Sequence, residues 1–235
     1  MTRDPVVLLV GTVDTKSDEI AFLRGQLLEG GARVLVMDVG VLGRGAVVPE
    51  ISADEVARAA GTTLAQLAAG GDENIAMQAM ALGAAALAQR LQAEGRIDAL
   101  LVLGGTMGTD LALEVAGTLP LGVPKVVLST IAHSPLLPPH RIPPDLITVL
   151  WAGGLYGLNS LCRSALAQAA GAVIGACRGA SAPRFERPMV GMTSLGSSAL
   201  TYMKTLRPEL ERRGYELAVF HCTGCLLYTS PSPRD

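Results

Sequence analysis

Aromatic side chains make up only 3% of the 235 residues, against 27 glycines. That scarcity removes the stacking platforms on which single-stranded nucleic acid is held, and the glycines point instead to tight turns and close backbone approach. Basic blocks are missing as well. The net charge is −2, from 19 Lys and Arg against 21 Asp and Glu, so the electrostatic footprint of a protein that binds nucleic acid or an anionic membrane is absent. Met1 to Pro5 has no basic region leading into an apolar stretch, as a secretory signal would. The richest apolar segment, Ile75 to Leu91, is interrupted by Gln78, Gln89 and Arg90. It falls short of the roughly 18 apolar residues a membrane span needs and reads as a buried helix. Cys162, Cys177, Cys222 and Cys225, in a long chain without an export signal, read as reduced thiols. The expected location is the cytoplasm. With 49% hydrophobic and 17% charged residues the chain can bury a sizeable core.

The pattern along the chain is α/β. Val6 to Val10 is a continuous apolar run ending in Gly11, the form of a strand buried on both faces of a parallel sheet. Thr15 with Asp18 signals a helix start, Ile20, Leu23 and Leu27 fall on one face, and Gly30-Gly31 ends the helix before a strand at Val34 to Asp38. Ser52 with Glu55 forms a capping box, with Ile51 placed to staple onto Val56. A further helix starts near Thr63, and a long one runs from Glu73 to about Glu94 with Asp72 as its cap and Gly95 as its terminator. Strands are expected at 99–103, 125–128 and 146–150, with a helix at about 109–116 between the first two. The five prolines of 135–144 exclude regular helix or interior strand. A helix from Leu158 to Gly171 closes this first unit, which spans 1–182 and has the doubly wound parallel pattern. Ser181 to Pro188 resembles a linker. The pattern then restarts over 186–224 with strand 189–192, helix 197–213 and strand 215–220, a second βαβ unit that is cut short. Residues 225–235 have neither helical period nor cap, resemble sequencing-adapter read-through, and are set aside as a non-native tail.

In a doubly wound sheet, ligands bind beyond the carboxyl ends of the strands, so the turns after the strands are the candidate sites. The first turn, Gly11-Thr12-Val13-Asp14-Thr15-Lys16, combines close backbone approach, hydroxyls, a cation, and an acid able to meet ribose or a metal. The plain alternative is a capped helix start. Gly104-Gly105-Thr106-Met107-Gly108-Thr109-Asp110 is the strongest local signal, since three glycines and two threonines opening a helix suit a phosphate or carboxylate. Packing of helix on sheet would need only one of those glycines. Ser129-Thr130 with His133, Ala152 to Asn159, and Thr193 to Ser198 are weaker polar turns, each also readable as a helix cap. Asp38 ends the second strand, where dinucleotide folds place a ribose-binding acid. GxxxxGK[ST] and GxGxxG are both absent, as is a GxSxG elbow. His133, His140 and His221 form no ligand set at metal spacing, so no metal site is assigned; Cys222-Thr223-Gly224-Cys225 matches C-x-x-C but runs into the tail.

Val10 to Lys16 with Phe22-Leu23-Arg24, Leu103 to Thr109, Gly157-Leu158-Asn159 and Phe220 to Gly224 together resemble the Tm-one-like ATP-binding domain family, a largely uncharacterised group of microbial and plant proteins. The resemblance covers about residues 5–224 and implies two Rossmann-like domains, ATP binding and self-association into a homo-oligomer. It also implies a longer chain, so that the second domain is truncated here. On this reading Gly11, Thr12, Gly104, Gly105, Thr106, Gly108 and Thr109 cradle phosphates, with Ser129 beside them. Lys16 neutralises charge, and Asp14 or Asp38 meets ribose or Mg2+. Whether the protein is an enzyme stays open. The rivals are a metabolic enzyme holding a phosphorylated or carboxylated substrate in the same cradle, with His133 or His221 as acid/base, and a non-catalytic regulatory or interaction module.

Overall fold

A computed structural model describes residues 3–179, 181, 183–194 and 196–221. The Cys222 to Cys225 motif, the tail and Leu195 lie outside the described residues. The chain divides into two compact units, Met1–Leu137 with Asp145–Ala182, and Pro138–Pro144 with Pro183–Asp235.

The first unit is built on five parallel strands, β1 (Val6–Gly11), β2 (Arg33–Asp38), β3 (Ala99–Gly104), β4 (Lys125–Ser129) and β5 (Leu146–Leu150), in the order β2-β1-β3-β4-β5. Every residue of β1, β3 and β4 is buried. Their uninterrupted apolar runs follow from this, because both faces are covered. Val6, Leu8 and Val10 face a cluster with Val56, Met80 and Leu111, whereas Val7 and Leu9 face one with Ile20, Leu23 and Leu166. The first cluster is roofed by α2 (Ala53–Ala59), α4 (Glu73–Ala93) and α5 (Thr106–Thr118), with α3 (Leu64–Gly70) alongside, and the second by α1 (Val13–Glu29) and α6 (Ser160–Gly179). Each fully buried leucine contributes about 1.5–3 kcal/mol over an exposed one. Alternate residues of one strand therefore stabilise opposite layers.

The start signals of α2, α3 and α4 act as read. Ser52 and Glu55 form a reciprocal capping box, Thr63 forms one with Gln66, and Asp72 accepts from the Asn74 and Ile75 amides. Gly83 lets α4 lie directly on the Val56 carbonyl of α2, where a Cβ would collide with backbone. Three boundaries differ from expectation. α5 starts at Thr106 because Gly105 takes the extended cap conformation. α6 runs on through Gly171 and Gly175 because Val173 and Ile174 are buried on the sheet. α1 starts at Val13 and is broken at Lys16, whose φ of −135° and ψ of 32° are not helical.

Among the described residues α6 alone is long and apolar enough by length and composition to cross a bilayer, which the reading of 75–91 had not picked out. Seven of its residues, Cys162 to Ile174, are buried in the core of this unit. Cys162 and Cys177 are free thiols, and burial pushes both up in pKa, the opposite of an activated nucleophile.

The second unit contains β6 (Met189–Ser194), α7 (Gly196–Arg212) and β7 (Glu216–His221), with β6 and β7 paired in parallel from Met189 opposite Glu216. A single 3-10 turn at Pro139–Arg141 is the only regular structure in the proline-rich loop.

Candidate functional site

The strand order fixes where the site lies. From β1 the chain crosses to β2 on one side, and from β3 to β4 on the other, so the carboxyl ends of β1 and β3 form the switch point of the sheet. The turns leaving these two strands open onto one hollow of about 320 Å³. Eight of the eleven residues anticipated from the sequence meet there: Gly11, Thr12, Asp14, Lys16, Gly104, Gly105, Thr106 and Gly108.

The two turns contribute different chemistry. At α5 the Gly105 cap offers no side-chain acceptor, and helix geometry leaves the N–H groups of Thr106, Met107 and Gly108 without an intrahelical partner. At α1 three of the amides are engaged instead: Val13 N–H donates to Asp38 Oδ1 at 3.0 Å, and those of Thr15 and Lys16 donate to the Thr12 carbonyl at 3.3 and 3.0 Å. The expected Thr15 and Asp18 cap is replaced by Asp38, reaching in from the end of β2. What the first turn presents is a cation on hydroxyls. The break at Lys16 turns its ammonium back to donate to Thr12 Oγ1 at 3.3 Å and Thr15 Oγ1 at 3.1 Å, and those hydroxyls bond each other at 2.8 Å.

The glycines divide in the same way. A Cβ at Gly104 would lie 2.6 Å from the Thr109 nitrogen, so Gly104 is needed for α5 to pack on β3. At Gly105 a Cβ meets nothing within 4 Å, and at Gly108 only the Leu103 carbonyl at 3.7 Å. Packing explains one glycine of the three. The other two keep the mouth of the hollow open.

Three anticipated residues do not reach this hollow. Thr109 and Ser129 are 1% and 0% exposed, and their hydroxyls bond each other at 2.8 Å. Thr109 also donates to the Gly105 carbonyl, and Ser129 accepts from Ile131 N–H, so the pair fastens the turn after β4 to the first turn of α5. Asp38 lines a second hollow of about 600 Å³, which shares Val41 and Leu42 with the first. His133 is exposed, with a left-handed φ of 65°. Among the described residues no group of three His, Cys, Asp or Glu gathers at one point.

Two acids shape the electrostatics. Asp14 Oδ2 accepts from Leu42 N–H at 2.8 Å, while Oδ1 is buried without a hydrogen-bond partner among the described residues. Asp38 Oδ1 accepts from both Val13 and Gly40. Burial raises its pKa above the ordinary 3.8, opposed by those two backbone bonds and reinforced by the neighbouring Asp14 charge. A raised native pKa means that the folded state binds more protons than the unfolded one between the two values. Stability therefore falls as pH climbs through that window, and the cost persists above it. Asp38→Asn keeps an acceptor for Val13 and Gly40, so it is expected to melt at or above the wild-type temperature at pH 7. The gap closes on acidification toward pH 4, as followed by thermal melting; a gap that widens instead contradicts this account.

Several residues of the hollow carry no sequence signal. Glu73 and Met77 line it because the start of α4 reaches over the switch point. Met77, Thr106 and Met107 also border a third hollow of about 270 Å³. The Gly157 and Asn159 positions serve packing: Gly157 N–H donates to the buried Glu19 of α1 at 2.9 Å, and Asn159 Oδ1 accepts from Cys162 N–H at 2.9 Å at the start of α6.

The family model for the N-terminal domain of the uncharacterised protein family UPF0261 matches residues 5–182. A UPF0261 protein of Brucella suis is 53% identical over 223 residues, covering 95% of this chain and 53% of that protein. One from Clostridium tetani is 34% identical over 220 residues, covering 93% and 54%. The tomato (Solanum lycopersicum) ToMV susceptible protein tm-1(GCR26) is 28% identical over 250 residues, covering 95% and 32%. This chain thus spans about half the length of the bacterial relatives it matches. The tomato relative agrees with the resemblance drawn from the motifs, at the level of an uncharacterised family. The chain belongs to the UPF0261 family, and residues 5–182 are its N-terminal domain.

Proposed function

We propose that the hollow between the ends of β1 and β3 holds the phosphates of a nucleotide, ATP accompanied by Mg2+, in a Rossmann-like first domain. The second unit is then the beginning of a second Rossmann-like domain, and the full-length protein self-associates.

The observation that carries this reading is the meeting, at the switch point, of three uncapped α5 amides with the Lys16 ammonium. Side-chain charge alone opposes a free anion, since Asp14 and Glu73 outnumber Lys16 around the hollow. Binding then falls to the fixed amide dipoles and to a divalent cation arriving with the phosphates. The unpartnered Asp14 Oδ1 supplies a hard oxygen suited to that cation or to one of its waters.

Titration calorimetry on the full-length protein tests this. ATP is expected to bind with Mg2+ and to weaken in EDTA. Lys16→Ala, which removes one charge-assisted hydrogen bond worth about 2 kcal/mol, is expected to weaken ATP roughly thirtyfold. Its melting temperature stays unchanged, because among the described residues the Lys16 ammonium donates only to two hydroxyls and the substitution leaves its backbone bond to Thr12 in place. No heat with ATP, or equal affinities in Lys16→Ala and wild type, refutes the assignment.

A further inference from the structure

We propose that the second hollow receives the base and sugar of the nucleotide whose phosphates occupy the first, the ligand crossing at Val41 and Leu42. This rests on the nucleotide reading above and adds where the uncharged end of the ligand goes.

Size is the first argument. At about 320 Å³ the first hollow lies at the lower end of the range for small-molecule sites, whereas the second, at about 600 Å³, is mid-range. Val41 and Leu42 are common to both, so the two hollows adjoin at this pair and one extended ligand can pass over it.

Chemistry gives the orientation. The second hollow carries Asp38 and Asp54 against the single cation Arg44, which disfavours phosphate and favours a neutral group that donates hydrogen bonds. Asp38 meets that requirement. Oδ1 is committed to the Val13 and Gly40 amides, and Oδ2 has no partner among the described residues. Ser52 is already spent on its capping box with Glu55. The remaining wall is aliphatic, including Val47, Val48 and Leu64. Leu42 and Val48 are 77% and 80% exposed, two apolar side chains that core packing does not explain and that a flat ring between them would cover.

The partition is held in place before any ligand arrives. Asp14 Oδ2 takes Leu42 N–H, Ser17 Oγ takes Ala46 N–H at 2.9 Å while donating to the Val13 carbonyl at 2.6 Å, and Gly45 lies so close to the Val13 backbone that no side chain fits. The loop of residues 40–46 is thus pinned to the first turns of α1, so little ordering is left to be done on binding.

The test compares three probes by calorimetry on the full-length protein: ATP, inorganic tripolyphosphate and adenosine. Two variants act only on the second hollow. Ala68→Trp fills it from an exposed position of α3, and Val48→Ser removes one exposed aliphatic wall. The expected result is that wild type binds all three probes. Ala68→Trp loses at least tenfold in ATP affinity and loses adenosine binding, Val48→Ser loses about threefold in ATP affinity, and tripolyphosphate binds both variants within twofold of wild type. If ATP and adenosine bind both variants as they bind wild type while tripolyphosphate still binds, the base lies elsewhere and this proposal is overturned, with the phosphate site intact. If neither ATP nor tripolyphosphate binds wild type, the nucleotide reading falls and this proposal with it.

Discussion

Gly104→Ala and Gly105→Val are expected to damage the protein in opposite ways. The first places a carbon against the backbone of Gly108 and Thr109, neither of which can move without lifting α5 from β3. Overpacking against backbone costs about 3 kcal/mol, which for a chain of this length lowers the melting temperature by roughly 10 °C. The second adds its side chain where nothing stands within 4 Å. At a cap position the replacement costs about 1 kcal/mol, so the fold is kept while the isopropyl group takes the place of a phosphate. ATP affinity falls at least about a hundredfold, the size expected when several charge-assisted hydrogen bonds are blocked together. Melting curves and calorimetry on both variants decide the matter. Wild-type ATP binding by Gly105→Val would falsify the phosphate site.

The largest expected loss of stability away from the site is Asp145→Ala. Lys125 opens β4 with its side chain 1% exposed, donating to Asp145 Oδ2 at 2.6 Å and to the Pro120 carbonyl at 2.8 Å. Asp145 also accepts from Gly122 N–H at 2.9 Å, and its side chain is 25% exposed. Removing Asp145 strands a buried ammonium on one carbonyl, at about 3 kcal/mol or more. Lys125→Met costs less, about 1–2 kcal/mol, because a methionine suits the buried position while the carboxylate left behind keeps the Gly122 N–H, on a side chain 25% exposed against 1% for Lys125. Lys125→Met/Asp145→Leu recovers most of the loss. Urea unfolding of the three variants measures this order, and a larger cost for Lys125→Met than for Asp145→Ala would contradict it.

The parts of the fold that were legible in the sequence are those fixed by neighbours in the chain. The Ser52 and Glu55 box, the Asp72 cap and the apolar runs of β1 and β3 depend on spacing of a few residues and stand where read. The α1 start misled because its cap, Asp38, is 25 residues away. Glu19 and Lys125 look like surface residues until Gly157, 138 positions on, and Asp145 come into contact with them. For the site, the rule that ligands lie beyond the carboxyl ends of the strands, joined to the glycine and hydroxyl content of the turns, pointed to those after β1 and β3. It could not tell which hydroxyls face outward. Thr106 and Thr109 lie in the same turn, yet one lines the hollow and the other is locked to Ser129, a partner 20 residues further along the chain. Nor could it show that the Val13, Thr15 and Lys16 amides of α1 are already engaged, which on the proposed reading shifts anion recognition to α5 and the Lys16 ammonium.

The apolar character of β1 and β3 bears on how the protein must be handled during production. Val6 to Val10 and Ala99 to Leu103 are two uncharged, β-prone pentapeptides that neighbour each other in the finished sheet, although Val6 and Asp98 at their outset are 92 residues apart. Until that distant pairing closes, each segment is an open template for intermolecular association. Guards stand at the entrances, where Arg3 meets Asp98 at 2.7 Å and Asp98 takes the Val6 amide at 2.8 Å. Neutralising Asp98 would therefore harm yield on refolding more than it harms the melting point of protein already folded.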